Sequence, residues 1–243
     1  DIFSGQFFTE LCEDHLIDDF DIPSDWPVWI SMDWGYMTKC AVLFWTKDMS
    51  SGITYCFREI YVTKIQAEGV AEMIKSSLGK LFVNVRGLYT DKRVKVKDEN
   101  GMNISTQEKF QFHGVYFQVV DDSSEDGWHR SRELLSKDKE GFRRLRIFRS
   151  CVNLVRTLAE MVFDPNHPED MDKRAETHLP DAFRYFAITR HSFGDPAERS
   201  RPVDFSSVTG YLGGRGDHSL LRNKIPRLVG YERSSKYFLD RRD

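Results

Sequence analysis

The chain has 243 residues, of which 40% are hydrophobic, 30% charged and 13% aromatic, with a net charge of -3. This is the composition of a globular protein long enough to bury a sizeable core. No apolar run is long enough to span a bilayer and no signal peptide opens the sequence, so neither a membrane partner nor secretion is expected.

Residues 1–26 read as an irregular lead-in that ends in the turn-rich "DIPSDWP" and starts as a piece of a longer chain would. Strand candidates follow at 28–33, 40–47 and 53–63, the second nearly all apolar, as in a strand covered on both faces. "DMSSG" at 48–52 is a hairpin connection. Over 66–80, Val70, Met73, Ile74 and Leu78 form one helical stripe, and "RGLYTD" at 86–91 is a short strand. Asn-Gly within "KDENGMNIS" signals a tight turn; "GVYFQVVDD" at 114–122 reads as a strand and "SEDGWHRSRELLSKD" as an amphipathic helix. "RLRIF" is a short strand, 151–163 a helix, and "THLPDAFRYFAITRH" a last helix after a polar loop. Beyond about residue 192 the sequence reads as a tail containing "GYLGGRGD", whose Arg-Gly-Asp is taken as chance.

Hairpin-linked strands followed by alternating helices and strands predict an α/β fold with a mixed central β-sheet flanked by helices. The first three strands are expected to be antiparallel, with the first beside the strand ending at Asp91. Cys12, Cys40, Cys56 and Cys151 are widely spaced with no Cys-x-x-Cys pair, and the last three sit in apolar runs. They read as buried thiols of a reducing cytoplasm rather than a disulfide frame or zinc site.

Asp33 ends the first strand, where a carboxylate is costly to desolvate. Asp91 ends the strand beside it, and Asp181 lies in the first turn of the final helix. In this topology the three acids meet at one end of the sheet. Carboxylates held that close repel unless a cation sits among them. Oxygen ligands suit Mg²⁺ or Mn²⁺, and two such ions about 3.5–4 Å apart form a phosphodiester-cleaving site. Asp98, Asp121 and Asp122 are rivals of Asp91 that read better as turn caps, and Glu68 and Glu72 read as solvated.

"WISMDWGY", "LYTD" and "HLPDAFRYFAI", in this order, resemble the nuclease domain of tailed-phage large terminase subunits, which has the ribonuclease H-like fold. "FSGQFF" before "IPSDWPVWISMDWGY" resembles that family's linker into its first strand, and the likeness covers roughly residues 1–191. It implies metal-binding acids at Asp33, Asp91 and Asp181, and a catalytic domain at 27–191. It also implies a C-terminal extension over 192–243 and a linker at 1–26 leading from an ATPase motor absent here, since no Walker P-loop is present. Where the family has a small residue or proline after its second acid, this chain has Lys92 and Arg93.

The resemblance implies a metal-dependent endonuclease that cuts concatemeric double-stranded DNA in the host bacterial cytoplasm, leaving 5′ phosphates and 3′ hydroxyls. A portal protein and a small terminase subunit are its implied partners. His178 shares a helix face with Asp181 and is open to a metal-ligating, an orienting or a merely exposed role.

The basic clusters at 92–97 and 137–149 read alone as solvated faces, but a negative metal-free pocket needs a basic rim to hold DNA. Lys92, Arg93, Arg143, Arg144 and Arg184 are the candidates. Two other functions compete: a docking module for portal or capsid with degenerate acids, and an actin-like ATPase. The latter needs a second phosphate loop and a repeated domain half, and neither is visible.

Overall fold

The structure is a computed structural model that describes residues 6–97, 104–120, 124–164, 171–172 and 174–189. Asp98, Asp121, Asp122, the Asn-Gly turn and everything after residue 189 lie outside the described residues.

The strands are β1 (Leu16–Ile17), β2 (Val28–Asp33), β3 (Lys39–Lys47), β4 (Thr54–Thr63), β5 (Val85–Thr90), β6 (Gln118–Val119) and β7 (Leu145–Phe148). The helices are α1 (Ala67–Leu78), α2 (Thr106–Phe112), α3 (Ser124–Leu135), α4 (Val152–Glu160) and α5 (His178–Thr189). The strands form one seven-stranded mixed sheet in the order β1-β7-β4-β3-β2-β5-β6. β2, β3 and β4 are antiparallel neighbours, and β5 lies parallel beside β2, as the order of elements in the sequence predicts.

Every residue of β2 is buried, including Ser31 and Asp33. α5 explains how such a strand is covered. The helix packs on β2 and β3, and α3 and α4 pack on α5. Phe186 of α5 stacks on Trp45 of β3, with ring centroids 4.1 Å apart and planes 2° apart. Trp45 donates its indole N–H to Ser31 Oγ at 2.9 Å, so the buried donor is satisfied. No helix among the described residues is long and apolar enough to cross a membrane.

Three differences from the sequence expectations have simple causes. The lead-in is not irregular throughout: β1 pairs with β7 at the sheet edge, and Phe7 and Phe8 are core residues packed on Trp128. A two-residue strand carries no periodicity to detect. Residues 106–112 form α2, a helix absent from the sequence expectations although Ser105 and Glu108 make a capping box at its start. Of the strand expected over 114–122, only β6 pairs in the sheet among the described residues 114–120, although Val115, Phe117 and Val120 are buried. Cys40, Cys56 and Cys151 are free, buried thiols as expected.

Candidate active site

β2 and β5 run in parallel with Met32 opposite Thr90, so the chain leaves both strands at the same end of the sheet. Side chains alternate along strands. Asp33, one residue after Met32, and Asp91, one after Thr90, therefore face the same side, which α5 covers. Asp91 also caps the short 3₁₀ turn Lys92–Lys95 by accepting from the Arg93 N–H at 3.1 Å.

The first turn of α5 arrives at this point through a pinned approach. Glu176 accepts from Tyr61 of β4 and, at 2.9 Å, from Arg156 of α4. Two residues later, His178 Nδ1 hydrogen-bonds Asp33 Oδ2 at 2.8 Å. Tyr185, four residues after Asp181 and thus on the same helix face, directs its hydroxyl at Asp33 Oδ1 at 3.4 Å.

Burial raises the Asp33 pKa above its ordinary value, and the hydrogen bond from His178 and the charge of Arg93 oppose the rise. Burial also raises the Tyr185 pKa, and the charges of Asp33, Asp181 and Asp91 push it the same way. Tyr185 is held as a neutral phenol that donates, and it feels all three acids.

The acids are not left to repel one another. Arg93 donates from Nη2 to Asp33 and from Nε to Asp91, bridging the two carboxylates with one guanidinium. Although burial works against its charge, Asp33 and Asp91 raise the Arg93 pKa. Asp181 accepts from Arg184 Nη2 at 2.8 Å and Nε at 3.2 Å. The expectation of a strongly negative metal-free pocket is thereby corrected, since guanidinium groups pair with all three acids. With Arg93 between two of them, no three His, Cys, Asp or Glu side chains among the described residues gather as a metal-ligating group.

Arg184 is held tightly. It is 5% exposed, its guanidinium lies over the rings of Trp128 and Tyr185, and Gly127 of α3 passes directly beside its stem. A Cβ at Gly127 would stand 2.7 Å from Arg184 Cγ and 2.8 Å from Cδ.

The expected basic rim divides into three parts. Lys92 and Arg93 are exposed beside the acids, and Lys95 and Lys97, not singled out from the sequence, extend the same exposed ridge. Arg184 is inside, holding Asp181 rather than facing solvent. Arg143 and Arg144 precede β7 at the opposite end of the sheet, where Leu145 pairs with Thr54 and Thr54 with Lys47. There Arg144 donates to Asp138 and Glu140, and Arg143 to the Leu135 carbonyl. Glu72, on α1, is exposed and pairs with Lys75. Tyr185 is the site side chain that the sequence reading missed, although its position one turn after Asp181 marks it.

No family model and no curated protein matches the chain. Solved structures do resemble it. The large terminase of a thermophilic bacteriophage, in its complex with ADP, superposes with a TM-score of 0.64 at 16% identity, over 78% of this chain and 46% of that one. The nuclease domain of the bacteriophage P22 large terminase gives 0.60 at 19% identity, over 78% of this chain and 94% of that domain. The large terminase nuclease of thermophilic phage G20c, with bound cobalt, gives 0.51 at 12% identity, over 77% and 98%. This chain has the ribonuclease H-like α/β fold of large-terminase nuclease domains, and it spans just under half the length of the ADP-bound terminase.

Proposed function

We propose that this chain is a metal-dependent endonuclease domain that hydrolyses phosphodiester bonds of double-stranded DNA with little sequence preference, as the cutting module of a viral packaging terminase. The observation that carries the proposal is that Asp33 and Asp91, at the same end of the parallel strands β2 and β5, are joined by Arg93, with Asp181 of α5 near enough for its charge to act on Asp33. The fold shared with the ADP-bound terminase and the P22 nuclease domain supports it, as does the cobalt bound by the G20c nuclease.

The donor chemistry fits a hard divalent cation: the acids offer oxygen ligands, and a cation, Arg93, already bridges two of them. Asp33, Asp91 and Asp181 would hold Mg²⁺ or Mn²⁺, with His178 fixing the orientation of Asp33. Bound there, one or two such ions would lower the pKa of an attacking water and neutralise the leaving 3′ oxygen. Tyr185 donates to Asp33 and keeps its oxygen aimed into the site. Arg184 would fix the direction of the Asp181 carboxylate. The exposed lysines beside Asp91 position the phosphate backbone without reading bases.

By the same reading, the chain works in an infected bacterial host with an ATPase motor, a portal protein and a small subunit as partners. The direct test is nicking of supercoiled plasmid in Mg²⁺ or Mn²⁺. Cleavage that is lost in EDTA and in Asp181→Ala supports the proposal, and metal-independent cleavage defeats it.

One observation favours a second reading. Two acids joined by an arginine are also what a non-catalytic docking module would contain, with Asp33 and Asp91 as structural ion pairs. Absence of nicking in both metals, together with binding to a portal protein, would establish that module instead.

A further inference from the structure

Arg93 stands where the site calls for a positive charge, and it is the movable member of its own ion pairs. Asp33 and Asp91 are buried at the strand ends, whereas 54% of the Arg93 side chain is exposed. Its backbone is fixed by the Asp91-capped turn and by Val94, which is fully buried beside it. The stem is therefore anchored while the guanidinium borders water. Lys92 and Lys95 flank it on the exposed side of the same turn.

We propose that Arg93 is a removable internal counter-cation that makes metal loading depend on DNA. This rests on the metal-nuclease reading given above. Without substrate, the guanidinium holds Asp33 and Asp91 together and excludes a divalent cation, because two positive groups cannot share those oxygens without strong repulsion. To leave, the guanidinium must find another acceptor. A phosphodiester oxygen accepts from a guanidinium with the same charge-assisted geometry as a carboxylate. A DNA strand caught on Lys92 and Lys95 offers such oxygens within the reach of the Arg93 side chain. The strand then takes over Arg93 and frees Asp33 and Asp91 for the metal. Coupling of this kind is reciprocal, so metal also tightens DNA binding by the same factor. The consequence for the protein is protection of DNA from idle cutting, since the site is loaded only where a strand already lies.

The experiment measures free Mn²⁺ by its EPR signal during titration of the wild type, Arg93→Gln and Arg93→Lys, each with and without a short duplex. Asp33→Asn with the same duplex gives the background of Mn²⁺ held by DNA alone. The wild type is expected to bind Mn²⁺ about tenfold more tightly when the duplex is present. Arg93→Gln is expected to bind about tenfold more tightly than the wild type without DNA, and to gain less than about twofold from it. Arg93→Lys, which keeps the charge but not the fork, falls between them. A merely structural arginine predicts the opposite direction, weaker Mn²⁺ binding once it is removed, and that result overturns the proposal. If Arg93→Gln does not fold, absence of DNA enhancement in both the wild type and Arg93→Lys overturns it equally. Mn²⁺ binding no stronger than in Asp33→Asn for every protein defeats the nuclease reading and this inference together.

Discussion

The Nδ1 atom of His178 lies 2.8 Å from Oδ2 of Asp33, joining the first turn of α5 to the end of β2 across 145 residues of sequence. The contact fixes the direction of a carboxylate that the fold has fully buried. It also marks a cost to stability, because a buried charge is expensive and Asp33 stands there in spite of it.

Asp33→Asn separates the two. The amide keeps the shape and loses the charge, so cleavage is expected to fall by about 100-fold or more, exceeding the usual effect of a group that only supports a metal ligand. Stability should move the other way. Burial raises the folded-state pKa of Asp33 above the unfolded value, so the folded state binds more protons in that interval. The destabilising contribution of the wild-type carboxylate is thus absent below the unfolded pKa and grows as pH rises through the folded one. Urea denaturation from about pH 4 to pH 7 is expected to show Asp33→Asn gaining on the wild type with rising pH. A mutant that loses ground over that range would show that the ion pair with Arg93 outweighs desolvation.

Gly127→Ala tests the support beneath Asp181. Alanine ordinarily favours a helix over glycine by about 1 kcal/mol. Here its Cβ would press on Cγ and Cδ of Arg184, whose guanidinium lies over the rings of Trp128 and Tyr185. Cleavage is expected to drop about 10- to 100-fold, since small displacements at a catalytic group have effects of that size. Circular dichroism should show a folded protein. Full activity would mean that the Arg184 stem yields without moving Asp181.

Much of this site is legible in the sequence. Strand alternation and the order of hairpins and crossovers place Asp33 and Asp91 on one face at one sheet end, and helix spacing puts His178 and Tyr185 with Asp181. Arg93 is different in kind. Its adjacency to Asp91 is visible, but that one guanidinium also reaches Asp33, 60 residues away, follows from the 3₁₀ turn after β5 and the side-chain rotamer. Neither has a periodic signature. Arg143 and Arg144 show the converse: a basic cluster is easy to see, while the end of the sheet it occupies depends on the β4–β7 register.

Glu59→Ala is a control for stability without chemistry. Glu59 of β4 accepts from the Asn153 N–H at 2.9 Å and the Leu154 N–H at 2.8 Å, satisfying the start of α4, where Cys151 supplies no side-chain cap. Losing this cap is expected to cost about 1–2 kcal/mol in denaturant unfolding. Cleavage at about 25 °C should remain within about twofold of the wild type, because Glu59 lies on β4, separated from β2 by β3, and holds the start of α4 rather than any of the three acids, and a loss of that size leaves most domains folded. A large activity loss at full folding would reveal that α4, packed on α5, transmits to Asp181.

The last prediction concerns the path of DNA. Lys92 and Lys95 lie on the turn directly after Asp91, and both are exposed. Arg143 and Arg144 lie at the other end of the sheet, where Asp138, Glu140 and backbone carbonyls already engage them. A phosphate contact contributes through counterion release, so each lysine that makes one sets part of the salt dependence. Lys92→Ala and Lys95→Ala are each expected to weaken duplex binding similarly across sequences and to reduce the salt slope by about 1. Arg143→Ala and Arg144→Ala should leave that slope unchanged and act, if at all, on stability, since removing Arg144 leaves Asp138 without its cation. Binding isotherms from about 50 to 200 mM salt discriminate the two pairs. A slope altered by the β7 arginines and not by the lysines would move the DNA to the far end of the sheet. A strand lying there would not reach Asp33, Asp91 and Asp181, and the acids would then need a purpose other than cutting it.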